Sequence, residues 1–102
     1  MTTGGPTHLT TGLDVRDNPT RSRFELLDGD QVIGFAEYHP VRADVVEMPH
    51  TVIEAARRGQ GLGDVLLREA LAELSGRGLH VVPTCWFVAD YLRRHPEAAA
   101  IA

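Results

Sequence analysis

The chain has 102 residues, of which 43% are hydrophobic and 24% charged, and its formal net charge at pH 7 is −4. This length accommodates one domain with one core, and no apolar run approaches the ~20 residues that a transmembrane helix requires. All ten Lys/Arg positions are arginine, which excludes Schiff-base chemistry and lysine-dependent phosphate binding. Because the arginines are scattered along an acidic chain, we expect neither nucleic-acid binding nor membrane association.

Both ends of the chain are predicted to lie outside the folded domain. Residues 1–12 are rich in Thr and Gly and lack the basic start and apolar stretch of a signal peptide, so we expect a flexible N-terminal tail on a cytoplasmic protein. The lone cysteine, Cys85, fits a reducing compartment, and no His or Cys spacing indicates a metal site. We therefore expect one domain over residues 13–96 and a C-terminal tail over residues 97–102.

Strand patterns dominate the first half of the chain. Leu13 and Val15 indicate a short first strand. Residues 24–27 and 32–38 are apolar-rich segments joined by an Asp-Gly-Asp turn, which predicts a β-hairpin. A third extended stretch covers residues 43–53, and Pro49 within it predicts a bend, bulge or edge position.

The second half predicts two helices with a strand between them. Apolar residues fall on one arc of a helix over residues 61–75, namely Leu66, Leu67, Ala70, Leu71 and Leu74. Residues 79–82 follow as a short strand. Thr84 is the predicted N-cap of a second helix, which ends before Pro96. The order β-β-β-α-β-α predicts a single α/β layer system.

The joint between the third strand and the long helix, Arg57–Asp64, has the composition of an anion-binding loop. Three glycines fall within five positions there, and the unpaired N–H groups and dipole of a helix start favour a phosphate. A tight turn without a ligand is the alternative interpretation. The dinucleotide-binding glycine pattern fails because Asp64 and Leu66 occupy its third glycine position, and the Walker pattern fails because there is no lysine.

The loop matches the Arg/Gln-x-x-Gly-x-Gly/Ala signature of GCN5-related N-acetyltransferases (GNAT) through Arg58, Gly61 and Gly63. Residues 46–96 resemble the small single-domain branch of that superfamily, the YjdJ-like or NATD1-like domains. The motifs that carry this resemblance are His50-Thr51, Arg58-Gly59-Gln60-Gly61-Leu62-Gly63, Val81-Val82-Pro83-Thr84-Cys85 and Arg93-Arg94-His95-Pro96. One departure is that Val52-Ile53-Glu54-Ala55 replaces the usual Glu-Val-Pro-Pro, so the carboxylate beside the histidine is missing. Glu47 and Glu54 are the nearby alternatives.

The resemblance implies a minimal acyl-CoA N-acyltransferase fold of the α/β (α+β) class, with a mixed, mostly antiparallel sheet and two helices. It also implies that acetyl-CoA lies in a V-shaped gap between the bent third strand and the strand at 79–82. Pantetheine would pair with that bent strand and the pyrophosphate would sit on the loop. The implied cofactor-binding residues are Val52, Ile53, Arg58, Gly59, Gln60, Gly61, Leu62, Gly63 and Asp64.

The candidate catalytic residues each have a structural alternative. His50 is a candidate general base, because its ordinary pKa of ~6.5 suits proton transfer, or else a hydrogen-bonded strand histidine. Cys85 precedes a helix and is a candidate for the acetyl site, or else a small buried apolar residue. Tyr91 is a candidate general acid or a core residue, and Glu47 is a further candidate base. Arg93, Arg94 and His95 either reach a cofactor phosphate or complement the helix C-terminus.

The sequence therefore predicts acetyl transfer from acetyl-CoA to a primary amine by direct attack. The acceptor, whether a small molecule or a protein, and the oligomeric state have no signature in the sequence. A domain that binds CoA or acyl-CoA without turnover is the alternative function, and the missing carboxylate favours it. A plain structural domain without cofactor is the third interpretation.

Overall fold

The structure, a computed structural model, describes residues 12–102. These residues form seven strands, two α-helices and two short 3₁₀ turns. In chain order the strands and helices are β1 Leu13–Asn18, β2 Arg23–Asp28, β3 Gln31–Glu37, β4 His39–Arg42, β5 Val45–Glu47, β6 Thr51–Ile53, α1 Leu62–Gly76, β7 His80–Val82 and α2 Trp86–Arg94. They build a four-stranded sheet in the order β1-β2-β3-β6 and a three-stranded sheet in the order β4-β5-β7.

The predicted hairpin is confirmed as β2 and β3, which pair antiparallel through a turn at Gly29 with φ of 61°. Phe24, Leu26, Ile33 and Ala36 point from it into the core. Glycine suits the turn because positive φ costs other residues strain. Strand β1 pairs antiparallel with β2, as Leu13 and Val15 predicted.

The extended stretch over residues 43–53 is divided between the two sheets. Its first part is β5, which pairs with β4 and with β7, and its second part is β6, which pairs with β3. Pro49 lies between the two parts, so the predicted bend is confirmed. Strand β4 was not predicted, because its four residues are all exposed and include Pro40, so it has no apolar alternation.

Helix α1 covers the four-stranded sheet with the apolar arc predicted from the sequence. The buried residues of this arc include Leu66, Leu67, Ala70, Leu71 and Leu74. The helix ends at Gly76, and Arg77 then ties it to β1 through an ion pair with Asp17 at 2.7 Å. Within residues 12–102 neither helix is both long and apolar enough to cross a membrane.

The predicted N-cap of α2 is wrong. Cys85 occupies the cap position, without a side-chain cap hydrogen bond, and the Thr84 hydroxyl donates to the Glu47 carboxylate at 2.8 Å instead. Thr84 is a donor in this charge-assisted bond, whereas an N-cap oxygen accepts from a first-turn amide. The hydrogen bond connects the start of α2 to β5.

The last residues of the chain pair with β7. The Val81 amide donates to the Ala100 carbonyl at 2.8 Å, and the Ala102 amide donates back to the Val81 carbonyl at 2.9 Å. Ala99 is buried in the core. Residues 97–102, expected to form a tail, therefore cover the outer edge of β7. The expected N-terminal tail falls on residues that lie outside the described part, except for Gly12, whose carbonyl accepts from the Gly29 amide.

Candidate functional site

A V-shaped gap opens where the chain passes from β5 to β6 and turns away from β7. Strands β5 and β7 pair in parallel, and the Met48 amide donates to the Val82 carbonyl at 3.0 Å. The last hydrogen bond between these two segments is donated by the Cys85 amide to the Met48 carbonyl at 3.1 Å. After Pro49 the chain turns away to pair with β3 as β6. Among residues 12–102, no strand pairs with the edge of β6 that faces the gap.

The backbone groups on that free edge belong to alternate residues. The Glu37 amide donates to the His50 carbonyl at 2.9 Å, and the Glu54 amide donates to the Ile33 carbonyl at 2.8 Å. Since antiparallel residues alternate in the direction of their N–H and C=O groups, Val52 also faces β3, and Thr51 and Ile53 face the gap. Of the two residues predicted to pair with pantetheine, Ile53 offers its backbone and Val52 only its exposed side chain.

The glycine loop presents unpaired amides to the same gap. Gly59 and Gly61 have φ of 81° and 74°, which favour glycine. The Val65 amide donates to the Gly61 carbonyl at 3.3 Å, and among the described residues the amides from 59 to 64 donate to no protein acceptor. These N–H groups lie at the N-terminus of a 15-residue helix, where the helix dipole favours an anion.

Gly63 has a different role from the other two glycines. A Cβ atom at this position would lie 2.6 Å from Cζ and 2.7 Å from Cε2 of Phe87. At Gly59 and Gly61 a Cβ atom would meet nothing within 4 Å. Gly63 is therefore required for the close packing of α1 against α2, whereas the first two glycines set the backbone of the loop.

The β6 edge and the loop line a single cavity of about 600 Å³. Besides β6 and the loop, which contributes Arg57, Arg58 and Asp64, the wall includes Phe87 and Arg94. Arginine charge thus exceeds acidic charge along the wall, and a volume of this size suits a cofactor-sized ligand. Thr51 was not predicted to lie at the site, whereas Arg57 belongs to the predicted loop and Arg94 was a candidate for it. Gln60 is not part of the wall.

The arginines of the cavity are held by protein partners. Arg57 forms an ion pair with Asp28, and the Arg58 Nε donates to the Ile53 carbonyl at 3.1 Å. Arg94 donates to both carboxylate oxygens of Asp64, at 3.1 and 3.2 Å. Arg94 thus lies beside the glycine loop as well as in the last turn of α2.

Cys85 and His50 lie at the narrow end of the gap. The Cys85 thiol donates to the Thr51 hydroxyl at 3.8 Å, and Cys85 is half-buried. His50 precedes Thr51 at the bend and is exposed. Glu47 is held by the Thr84 hydroxyl, next to Cys85 in the chain. Three of the four catalytic candidates thus lie near the bend at Pro49, and none of the three lines the cavity of about 600 Å³.

Tyr91, the fourth candidate, lies elsewhere. It is 5% exposed, and its ring lies 4.5 Å from that of His95, measured between centroids. It lines a separate cavity of about 450 Å³ with Arg68 and Ala98. Burial, and secondly the charge of Asp64, raise the pKa of the Tyr91 phenol above its ordinary value. This geometry favours the core-packing interpretation of Tyr91.

Comparison with known proteins identifies the class. A family model described as GCN5-related N-acetyl-transferase matches residues 23–101, so the chain belongs to this family. Within the family it belongs to the NATD1-like branch. Protein NATD1 of Mus musculus is 29% identical over 96 residues, covering 89% of this chain and 86% of its own length. Protein NATD1 of Gallus gallus is 30% identical over 87 residues, covering 82% and 77%.

Two further comparisons agree with this membership. Mycothiol acetyltransferase of Rhodococcus jostii (strain RHA1) is 37% identical over 46 residues. The matched segment is 45% of this chain and 15% of that protein. The NMR structure of a GCN5-like protein from Staphylococcus aureus superimposes with a TM-score of 0.66 at 19% identity, covering 87% of this chain and 86% of the other. This second likeness supports the fold. The predicted α/β fold with two helices and mixed, mostly antiparallel strand pairing is confirmed, and the strands are divided between two sheets rather than joined in the one expected.

Proposed function

We propose that this chain is an acetyl-CoA-dependent N-acetyltransferase whose acceptor is a primary amine. The observation that carries the proposal is that the loop residues 59 and 61–64, whose amides are unpaired among the described residues, and the free edge of β6 line one cavity. The first feature suits a diphosphate, and the second suits the amides of a pantetheine arm. A plain structural domain has no need of either feature.

The proposed ligand runs from the loop to the narrow end of the gap. Its diphosphate lies on the loop amides beside Arg58, and its pantetheine arm pairs with Thr51 and Ile53. The thioester then lies near Cys85. A mycothiol acetyltransferase among the relatives adds support for acetyl transfer as the reaction class.

The chemistry requires an unprotonated amine and a proton for the departing thiolate. The amine nitrogen attacks the thioester carbonyl, the C–N bond forms, and the C–S bond breaks as the electron pair leaves on sulfur. The amine loses one proton and the thiolate gains one. Glu47 and His50, at the same end of the gap, are the proposed acceptors of the amine proton. The Cys85 thiol is the proposed neighbour of the leaving sulfur.

Direct attack by the amine is the proposed route, rather than transfer through an acetylated Cys85. Direct transfer needs an oriented amine, a base and donors near the carbonyl oxygen, and none of these requires a cysteine. The lone cysteine also leads us to propose a reducing, cytoplasmic location.

A CoA-binding module without turnover is the second candidate function. It is favoured by the missing carboxylate: Glu54 lies 3.4 Å from the Gln31 Nε2 atom, on the loop side of β6. Among the described residues, no carboxylate hydrogen-bonds the His50 side chain. In the described part of the chain, His50 is therefore not oriented by a neighbouring carboxylate.

One experiment separates these functions. Acetyl-CoA is titrated into the protein by calorimetry, and release of free CoA is then followed with a panel of small-molecule and peptide amines. We expect binding and amine-dependent release. Binding without release identifies a module, and absence of binding up to millimolar ligand contradicts the cofactor assignment. Gly61→Val, which forces a branched side chain onto positive φ, is expected to lose binding, whereas the loop-distant Gly76→Ala is expected to retain it.

A further inference from the structure

Asp64 places a negative charge where the proposed ligand needs positive surroundings. It is the third residue of α1 after the N-cap Gly61 and lines the cavity. In a capping box a Glu or Gln side chain at this position accepts from the amide of the N-cap, and the Asp64 carboxylate offers the same acceptor oxygens. Its carboxylate would then occupy the unpaired N–H groups on which the diphosphate is proposed to lie.

The structure instead turns the Asp64 carboxylate toward Arg94. Arg94 Nη1 and Nη2 donate to Oδ2 and Oδ1 of Asp64, which is a bidentate arrangement that fixes the direction of the carboxylate as well as its distance. Arg94 is itself held by a residue of its own helix, because its Nε donates to Asp90 Oδ2 at 3.0 Å. The end of α2 thus determines where the acidic group at the start of α1 points.

We propose that Arg94 is a positioning residue that keeps the anion site open by holding Asp64 away from the first-turn amides of α1. The inference rests on the proposed function, since the anion in question is the diphosphate of CoA. Without Arg94, Asp64 caps its own helix and competes with the ligand. In this account, the weaker CoA binding caused by removing Arg94 is due to the Asp64 carboxylate. The effect disappears when Asp64 is replaced as well.

Direct contact of Arg94 with the ligand is the competing account, and the two predict opposite results in a double-mutant cycle. If Arg94 acts through Asp64, Arg94→Gln weakens CoA binding and adding Asp64→Asn restores it. If Arg94 contacts the phosphate itself, the loss persists in the double variant. Asp64→Asn alone is the reference for the double variant, because both accounts expect it to leave affinity unchanged or higher.

The chain supplies a matched control in Arg93. Arg93 lies beside Arg94, changes the net charge equally when replaced by Gln, and also pairs with Asp90, but it does not line the cavity. Arg93→Gln therefore reports any general effect of charge or of the end of α2 on binding. We expect it to bind CoA as the wild type does.

The experiment is calorimetric titration of CoA into the wild type, Arg94→Gln, Asp64→Asn, the double variant and Arg93→Gln. We expect Arg94→Gln to bind on the order of tenfold more weakly, the size of a charge-assisted effect. The double variant should return to within about threefold of Asp64→Asn. A loss that persists in the double variant, or an Arg94→Gln that binds normally, overturns the proposal. A wild type that does not bind CoA contradicts the proposed function instead.

A second readout needs no ligand. In ¹H–¹⁵N spectra of the free protein, Arg94→Gln should shift the amide signals of residues 61–63, because the Asp64 carboxylate turns onto them. Asp64→Asn in the same background should return those signals to the positions seen in Asp64→Asn alone. These spectra also show whether each variant is folded. Unchanged amide signals in Arg94→Gln contradict the proposed movement of Asp64.

Discussion

Replacement of Gly63 by alanine tests how α1 and α2 fit together beside the cavity. The added methyl group would lie 2.6 and 2.7 Å from two ring carbons of Phe87, well inside van der Waals contact. The ring therefore has to move. Because Phe87 is half-buried and lines the cavity, its displacement should alter the cavity wall as well as the packing.

The expected change in the free energy of unfolding of Gly63→Ala is the sum of two opposing effects. Overpacking costs about 1–3 kcal/mol, and the higher helix propensity of alanine returns about 1 kcal/mol. The net destabilisation is up to about 2 kcal/mol, and each 1 kcal/mol lowers the Tm of a domain of this size by roughly 4–8 °C. Gly76→Ala is the control on the same helix, since its added methyl group meets nothing within 4 Å. That variant should be stabilised by up to about 1 kcal/mol.

The assay is chemical denaturation of both variants, repeated in a Phe87→Leu background. Leucine removes the distal ring atoms that the methyl group would contact, so the cost of Gly63→Ala should largely disappear there. Coupling of about 1 kcal/mol or more between the two positions is expected. If Gly63→Ala stabilises the protein as Gly76→Ala does in the native background, the packing role assigned to Gly63 is refuted.

Three further predictions follow from other parts of the molecule. Gly34→Ala should destabilise the protein by about 1–3 kcal/mol in denaturant melts. The added Cβ atom would lie 2.6 Å from Ile53 Cδ1 and 2.9 Å from the Val52 carbonyl oxygen. An unchanged free energy of unfolding would contradict the close approach of β3 and β6. In a spectrophotometric pH titration of the folded protein, both tyrosines should ionise above the ordinary pKa of 10.0, since burial is the main cause that raises the pKa of Tyr38 and of Tyr91. Their contribution to stability is complete below pH 10 and is lost as pH rises through the raised pKa values; ionisation at or below the ordinary pKa would disagree. Cys85→Ala should retain CoA binding and part of any turnover, whereas total loss of turnover together with an acetyl adduct in the intact mass of the wild type would establish a relay through Cys85.

Most of the fold was predictable because its determinants are local. Asp28-Gly29-Asp30 specifies a turn, and the apolar arc of α1 specifies one buried face. The elements that were missed have no local pattern. Strand β4 is exposed throughout and contains Pro40. Residues 99–102 join β7 through backbone hydrogen bonds, and of their side chains only that of Ala99 is buried.

The candidate site was predictable in position but not in its side-chain detail. Glycine spacing indicates the loop, yet it does not show that Gly63 serves packing against Phe87 while Gly61 serves the backbone. The register of β6 decides that Thr51 and Ile53 face the gap, and register is a tertiary property. The Asp64–Arg94 pair joins residues of two helices and likewise has no sequence signature.

The location of the bound cofactor tests the central claim most directly. Acetyl-CoA is titrated into ¹⁵N-labelled protein, and amide shifts are mapped onto the structure. We predict the largest shifts at residues 51–53 and 59–64. The amides around Asp17 and Arg77, which line a separate cavity of about 390 Å³, should be unchanged. Shifts centred on Asp17 and Arg77, or no shifts at millimolar ligand, would contradict the assignment of the β6–α1 cavity as an acetyl-CoA site.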